Sequence, residues 1–121
     1  MGSKAKRQII SGPMGIQQGS RMLFSDYATD GPMWTGEGRR ESRHVISFAE
    51  PFLSVPAVMV GISLWDMDHK SNMRADLSAE EVTERGFHLV FRTWGDTRVA
   101  QLRADWTAIG PLRDEDLWEV D

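Results

Sequence analysis

From Arg43 onward the chain alternates. His44, Ile46 and Phe48 fall on one side of an extended segment and Arg43, Val45 and Ser47 on the other, the two-residue period of a strand with one buried face. Pro51 and Pro56 bracket a connection. Residues 57–65 then set Val58, Val60, Ile62 and Leu64 against Ala57, Met59, Gly61 and Ser63, a second strand. In residues 74–82 the Ala79-Glu80-Glu81-Val82 run suits a helix while Met73, Ala75 and Leu77 alternate; we read a strand followed by a turn. Gly86 opens residues 87–94, with Phe87, Leu89 and Phe91 on one side, and Gly95-Asp96 after them is a candidate two-residue hairpin. The last run, residues 98–109, opposes Ala100, Leu102, Ala104, Trp106 and Ala108 to Val99, Gln101, Arg103, Asp105 and Thr107. Its length predicts a central strand, with Trp106 in the core.

The punctuation between these runs is Gly and Pro. Residues 31–38 hold Gly31, Pro32, Gly36 and Gly38, which break helix and strand alike, so the stretch reads as a loop carrying an exposed Trp34. Short strands joined by such turns, without intervening helices, predict an all-β antiparallel sandwich rather than βαβ units. No repeat with a period of tens of residues is visible. At 121 residues the chain is one domain in length. We divide it into a flexible basic tail (1–7), a sandwich (8–110) and an acidic tail (111–121) containing Leu117 and Trp118.

Charge and composition then narrow the function. The formal charge of −4 argues against a phosphate-backbone partner, which calls for a basic stripe or patch. Lys4, Lys6 and Arg7 form only a short terminal run, read as a solvated tail. With no cysteine, disulfides, a thiol nucleophile and thiolate-bound metal are out of reach. No apolar run is long enough for a membrane span, and no charged segment followed by an apolar one suggests a signal peptide. The expected setting is the cytoplasm, or release without a classical signal.

Several landmarks occur in a telling order: Phe48-Ala49-Glu50-Pro51-Phe52, Pro56-Ala57-Val58, Asp66, Gly86-Phe87, Thr93-Trp94 and Trp106-Thr107-Ala108. This succession resembles the H-type lectin domain, the family of snail agglutinins and discoidin C-terminal domains, over residues 43–110. The resemblance implies a six-stranded antiparallel β-sandwich that assembles as a homotrimer, sometimes stacked into a hexamer. It further implies binding of galactose-type sugars such as N-acetylgalactosamine at subunit boundaries. The matching positions for sugar contact are Glu37, Arg74 and Trp94, with Gly36, Gly95 and Asp96 beside them. Three departures stand out: Glu37 replaces the usual Asp, and Gly95 and Ala100 occupy places where the agglutinins have a His and a Tyr that touch sugar.

The residue types suit the task. A carboxylate accepts from vicinal hydroxyls, a guanidinium donates to them, and an indole covers the apolar C–H face of a pyranose. Taken without the resemblance, Glu37 is polar loop filler and Arg74 a solvated strand-end arginine. Asp66, Asp68 and His69 fall short of a calcium or zinc ligand set; we expect no metal or cofactor and read Asp66 as fixing the turn after the 57–65 strand. His44 and His88 have no nucleophile motif nearby, so no catalysis is expected. The alternative function is a structural or host-attachment subunit of a phage-like particle, using the same trimeric sandwich for protein contacts.

Overall fold

The computed structural model describes residues 11–113 together with Ala5, Arg7 and Ile9; of the acidic tail expected over 111–121, residues 114–121, with Leu117 and Trp118, lie outside the described residues. Six strands form the fold: β1 (Met14–Ser25), β2 (Arg40–Ser47), β3 (Ala57–Met67), β4 (Asp76–Glu80), β5 (Gly86–Thr93) and β6 (Val99–Pro111). They make two antiparallel sheets ordered β1-β6-β3 and β2-β5-β4, packed face to face as a β-sandwich.

Alternation places the core between them. Ile46, Phe48, Phe87, Leu89 and Phe91 from one sheet meet Leu23, Leu102, Ala104 and Ala108 from the other, with Val58, Val60, Ile62 and Trp106 packed at the margin. Phe48, Phe87 and Trp106 form a mutual aromatic cluster with ring centroids 5.5–5.9 Å apart. The longest strand, β6, is central in its sheet, as its length predicts, and Trp106 joins the core from its middle.

One end of the sandwich is closed by residues 48–56. Phe52 is fully buried against Phe48, its amide donates to Glu84 O at 2.9 Å, and the Leu53 amide donates to Pro111 O. The Leu112 amide reaches Pro13 O at 3.0 Å, tying the end of β6 to the start of β1. At the opposite end three connections emerge together: residues 26–39 between β1 and β2, 68–75 between β3 and β4, and 94–98 between β5 and β6.

Three local expectations are corrected. Residues 94–98 are no hairpin: β5 pairs only with β2 and β4, β6 only with β1 and β3, so the chain crosses from one sheet to the other. Trp34 lies in a one-turn helix α1 (Pro32–Thr35) and is half-buried, packed edge-on against Tyr27 at 5.0 Å, while Met33 is buried. Pro at the first helical position and the Gly31 carbonyl, which accepts from the Trp34 and Thr35 amides at 3.0 Å, let a Gly-rich stretch form this turn. Asp66 belongs to β3; Asp68 makes the turn, its carboxylate accepting from the Lys70 amide at 3.0 Å.

Candidate functional site

The three connections at the open end are locked to one another around Gly95. From the first, the Gly38 amide donates to Gly95 O at 3.0 Å, and Arg40 donates to the same oxygen from Nη2 at 3.2 Å. Arg40 also reaches Gly38 O and Met33 O at 3.1 Å. Asp26 anchors this loop from behind, accepting from the Met33 amide at 2.9 Å. From the second connection, Arg74 Nη1 bonds Asp96 Oδ1 at 2.5 Å and Thr97 Oγ1 at 3.2 Å. Thr93 and Thr97, both buried, return the tie by donating to Arg74 O at 2.6 Å and Asn72 O at 2.5 Å. The crossover is thus the hub of the site.

Its backbone explains the residue types. Gly95 has φ +68°, and a Cβ there would lie 2.8 Å from Arg74 Nη1, so the guanidinium occupies the space a side chain would need. Gly38, at φ +75°, turns the loop toward the crossover. The Asp96 carboxyl is held below its ordinary value, chiefly by the hydrogen bond from Arg74.

Of the six sequence-predicted positions, the structure brings Arg74, Gly95 and Asp96 into direct contact and sets the Gly36 and Glu37 loop against Gly95 through Gly38 and Arg40. Glu37 is exposed and makes no ion pair among the described residues; its charge acts on Arg40. Trp94 is 43% exposed. Two hollows flank the crossover. One, of about 520 Å³, is lined by Trp94, Arg39, Glu41, Asp76 and Arg92; the other, of about 580 Å³, by Asp96, Trp34, Asp68, His69 and Arg98. Ala100 shares a hollow with the Tyr27 and Trp34 pair. Among the described residues no group of three carboxylates or histidines converges as metal ligands.

Sequence reasoning missed Arg40, Thr93 and Thr97, which hold the site together. Their only signal is position: two threonines bracketing Trp94-Gly95-Asp96, and an arginine just after a glycine-rich loop.

Compared with known proteins, residues 43–109 match the model of the H-type lectin domain, which is more than half of the chain. The chain belongs to the H-type lectin domain family. That family binds carbohydrate, and the loop-bearing end of this H-type lectin domain carries the exposed aromatics Tyr27 and Trp94. The domain is 56% identical over 112 residues to the ATP synthase subunits region ORF 7 of Fuscovulum blasticum, covering 93% of this chain and 97% of that protein. It is 38% identical over 77 residues to Discoidin-2 of Dictyostelium discoideum, 62% of this chain and 30% of that protein. The structure of recombinant discoidin II from the same organism superposes with a TM-score of 0.70 at 30% identity over 80% of this chain and 37% of that one. The chain therefore spans about a third of the discoidins it resembles.

Proposed function

We propose that this H-type lectin domain acts as a multivalent lectin for galactose-type sugars, N-acetylgalactosamine among them, in a homotrimer or a hexamer of stacked trimers with its sites at subunit boundaries. The observation that carries the reading is the convergence of three connections on Gly95, which sets the Glu37 loop, Arg74 and Trp94 around one point at the open end. Glu37 accepts from sugar hydroxyls. Arg74 commits only Nη1 to Asp96 and Thr97, which leaves further N–H donors for the ligand. The exposed Trp94 covers the apolar ring face.

A glycan array on the wild-type protein and Arg74→Ala, with light scattering on both, tests this. Binding of galactose-type glycans by an oligomeric wild type, lost in a variant that is still oligomeric, supports the reading; a flat array from oligomeric protein defeats it. A second reading, a structural or attachment subunit, is favoured by one feature: Ile16 and Met59 stand 63% and 57% exposed on the outer face of the β1-β6-β3 sheet, a surface suited to protein contact. A flat array together with a stable co-purifying partner would select it.

A further inference from the structure

The hollow beside Trp94 has a composition of its own. Its floor is one row across the β2-β5-β4 sheet, where Glu41 pairs in register with Arg92 and Arg92 with Asp76. Trp94 follows Arg92 by two residues and rises on the same side, and Arg39 stands at the rim just before β2. The volume of about 520 Å³ lies within the range of small-molecule sites, about 300–1,000 Å³.

Three of the five charged groups in its lining are already engaged, Arg40 by the carbonyls of the loop and the crossover. Arg92 bonds Glu41 at 2.9 Å and Glu80 at 2.5 Å, which fixes the floor. The other two are open: among the described residues Asp76 and Arg39 make no side-chain hydrogen bond or ion pair with each other or with any group. The hollow thus offers one unspent carboxylate, one unspent guanidinium and an exposed indole. Opposite charges side by side favour neither an anion nor a cation. They match a neutral polyol, whose hydroxyls donate to Asp76 and accept from Arg39 while the ring borders the edge of Trp94, whose face takes the terminal sugar.

We propose that this hollow is a second saccharide subsite, taking the ring that follows the terminal sugar of a glycan. The proposal rests on the lectin reading above. The two positions meet at Trp94 and otherwise draw on different charged groups: Arg74 is tied to Asp96 on the far side of the crossover, whereas Asp76, Arg39, Glu41 and Arg92 line the hollow. The ligand is therefore an oligosaccharide, with the inner ring on the β2-β5-β4 row.

Calorimetric titration with galactose and with a trisaccharide ending in galactose, on wild type, Asp76→Asn and Arg39→Ala, tests this. Wild type binds the trisaccharide about tenfold more tightly than galactose, the scale of one or two hydrogen bonds to charged groups. Both variants keep wild-type affinity for galactose and lose the gain, and the amide resonances of Glu41 and Asp76 move with the trisaccharide only. Equal affinity of wild type for the two sugars, or a gain that survives both substitutions, overturns the subsite and leaves the lectin reading intact. Failure of wild type to bind either sugar overturns both. Circular dichroism of the variants assigns any loss of galactose binding to unfolding where that occurs, and Arg39→Ala, an exposed residue outside every strand, then decides.

Discussion

Arg40 bonds carbonyl oxygens and no carboxylate: Gly38 O, Met33 O, Pro32 O and Gly95 O, drawn from the loop before β2, from α1 and from the crossover. Only a planar fork reaches so many acceptors at once; an ammonium on a flexible stem keeps the charge and loses the geometry. Arg40→Lys is expected to lower the free energy of unfolding by about 1–2 kcal/mol, because several carbonyls lose a bond from a charged donor, and to weaken sugar binding by loosening the Glu37 loop from Gly95. Urea unfolding checks the first part: a wild-type midpoint in the variant would show that these bonds do not matter to the fold. A different logic governs Glu80, whose carboxyl is held at about 2 against an ordinary 4.5 by bonds from Arg92, Ser78 and Arg43. Since the folded value is depressed, the network's contribution is complete above about pH 4.5 and is lost as pH falls from there toward 2. The gap in urea midpoint between wild type and Glu80→Gln should hold steady from about pH 7 to 5 and then close as pH falls toward 2, the variant having the lower midpoint at neutral pH and the shallower decline. An unchanged slope in the variant would move the acid sensitivity to other depressed carboxyls, Asp96 and Asp105.

Individual elements show which features of a sandwich are written locally. In β2, β3, β5 and β6 the apolar set faces the core, so a period of two reads off both the strand and its buried face. The pattern of β1 is inverted: Met14, Ile16 and Met22 point outward, while Gly15 and Gly19 point inward beneath Leu112 and Trp106. A strand with glycines at two of its inner positions, filled by large side chains from β6 and the residue after it, carries little amphipathic signal of its own. Phe52 was likewise hidden, an anchor inside a proline-bounded connection. Gly95-Asp96 had the composition of a hairpin turn, yet strand partners in a sandwich are chosen by the packing of two sheets, and the crossover follows from that choice. The three loops of the candidate site could be named from the resemblance; the threonines that align them could not, because a buried hydroxyl serving a distant carbonyl leaves no periodic trace. Thr97→Val tests that alignment. It removes the donor to Asn72 O and one partner of Arg74 at nearly constant volume, so we expect a loss of about 1–3 kcal/mol and a drop in sugar affinity from a residue that touches no sugar. Wild-type affinity at reduced stability would separate the fold of the crossover from the binding site.

At the scale of the whole molecule the two ends of the sandwich are unlike. Phe52 and the Leu53 amide seal one, and all three connections of the candidate site leave from the other, so the candidate site is confined to one end of the chain. Both hollows there are open to water, and shallow sites on neutral sugars bind weakly, with Kd values on the order of micromolar to millimolar. A lectin built this way gains useful affinity by presenting several ends to one surface, where linked sites raise the apparent affinity by roughly 10²–10⁴ without any new contact. Parallel packing of chains about a symmetry axis would turn their open ends the same way, and three weak sites would then meet a glycan-coated surface together. The expected result is that binding to immobilised galactose tightens steeply as the sugar density rises, to about a hundredfold or more beyond the affinity measured per site in solution. Diluting the protein below the concentration at which light scattering shows its assembly dissociating should abolish that gain while leaving the solution affinity unchanged. A binding curve indifferent to sugar density, from protein that scattering shows to be trimeric, would mean that the open ends do not face one plane, and the assembly would then have to serve something other than avidity.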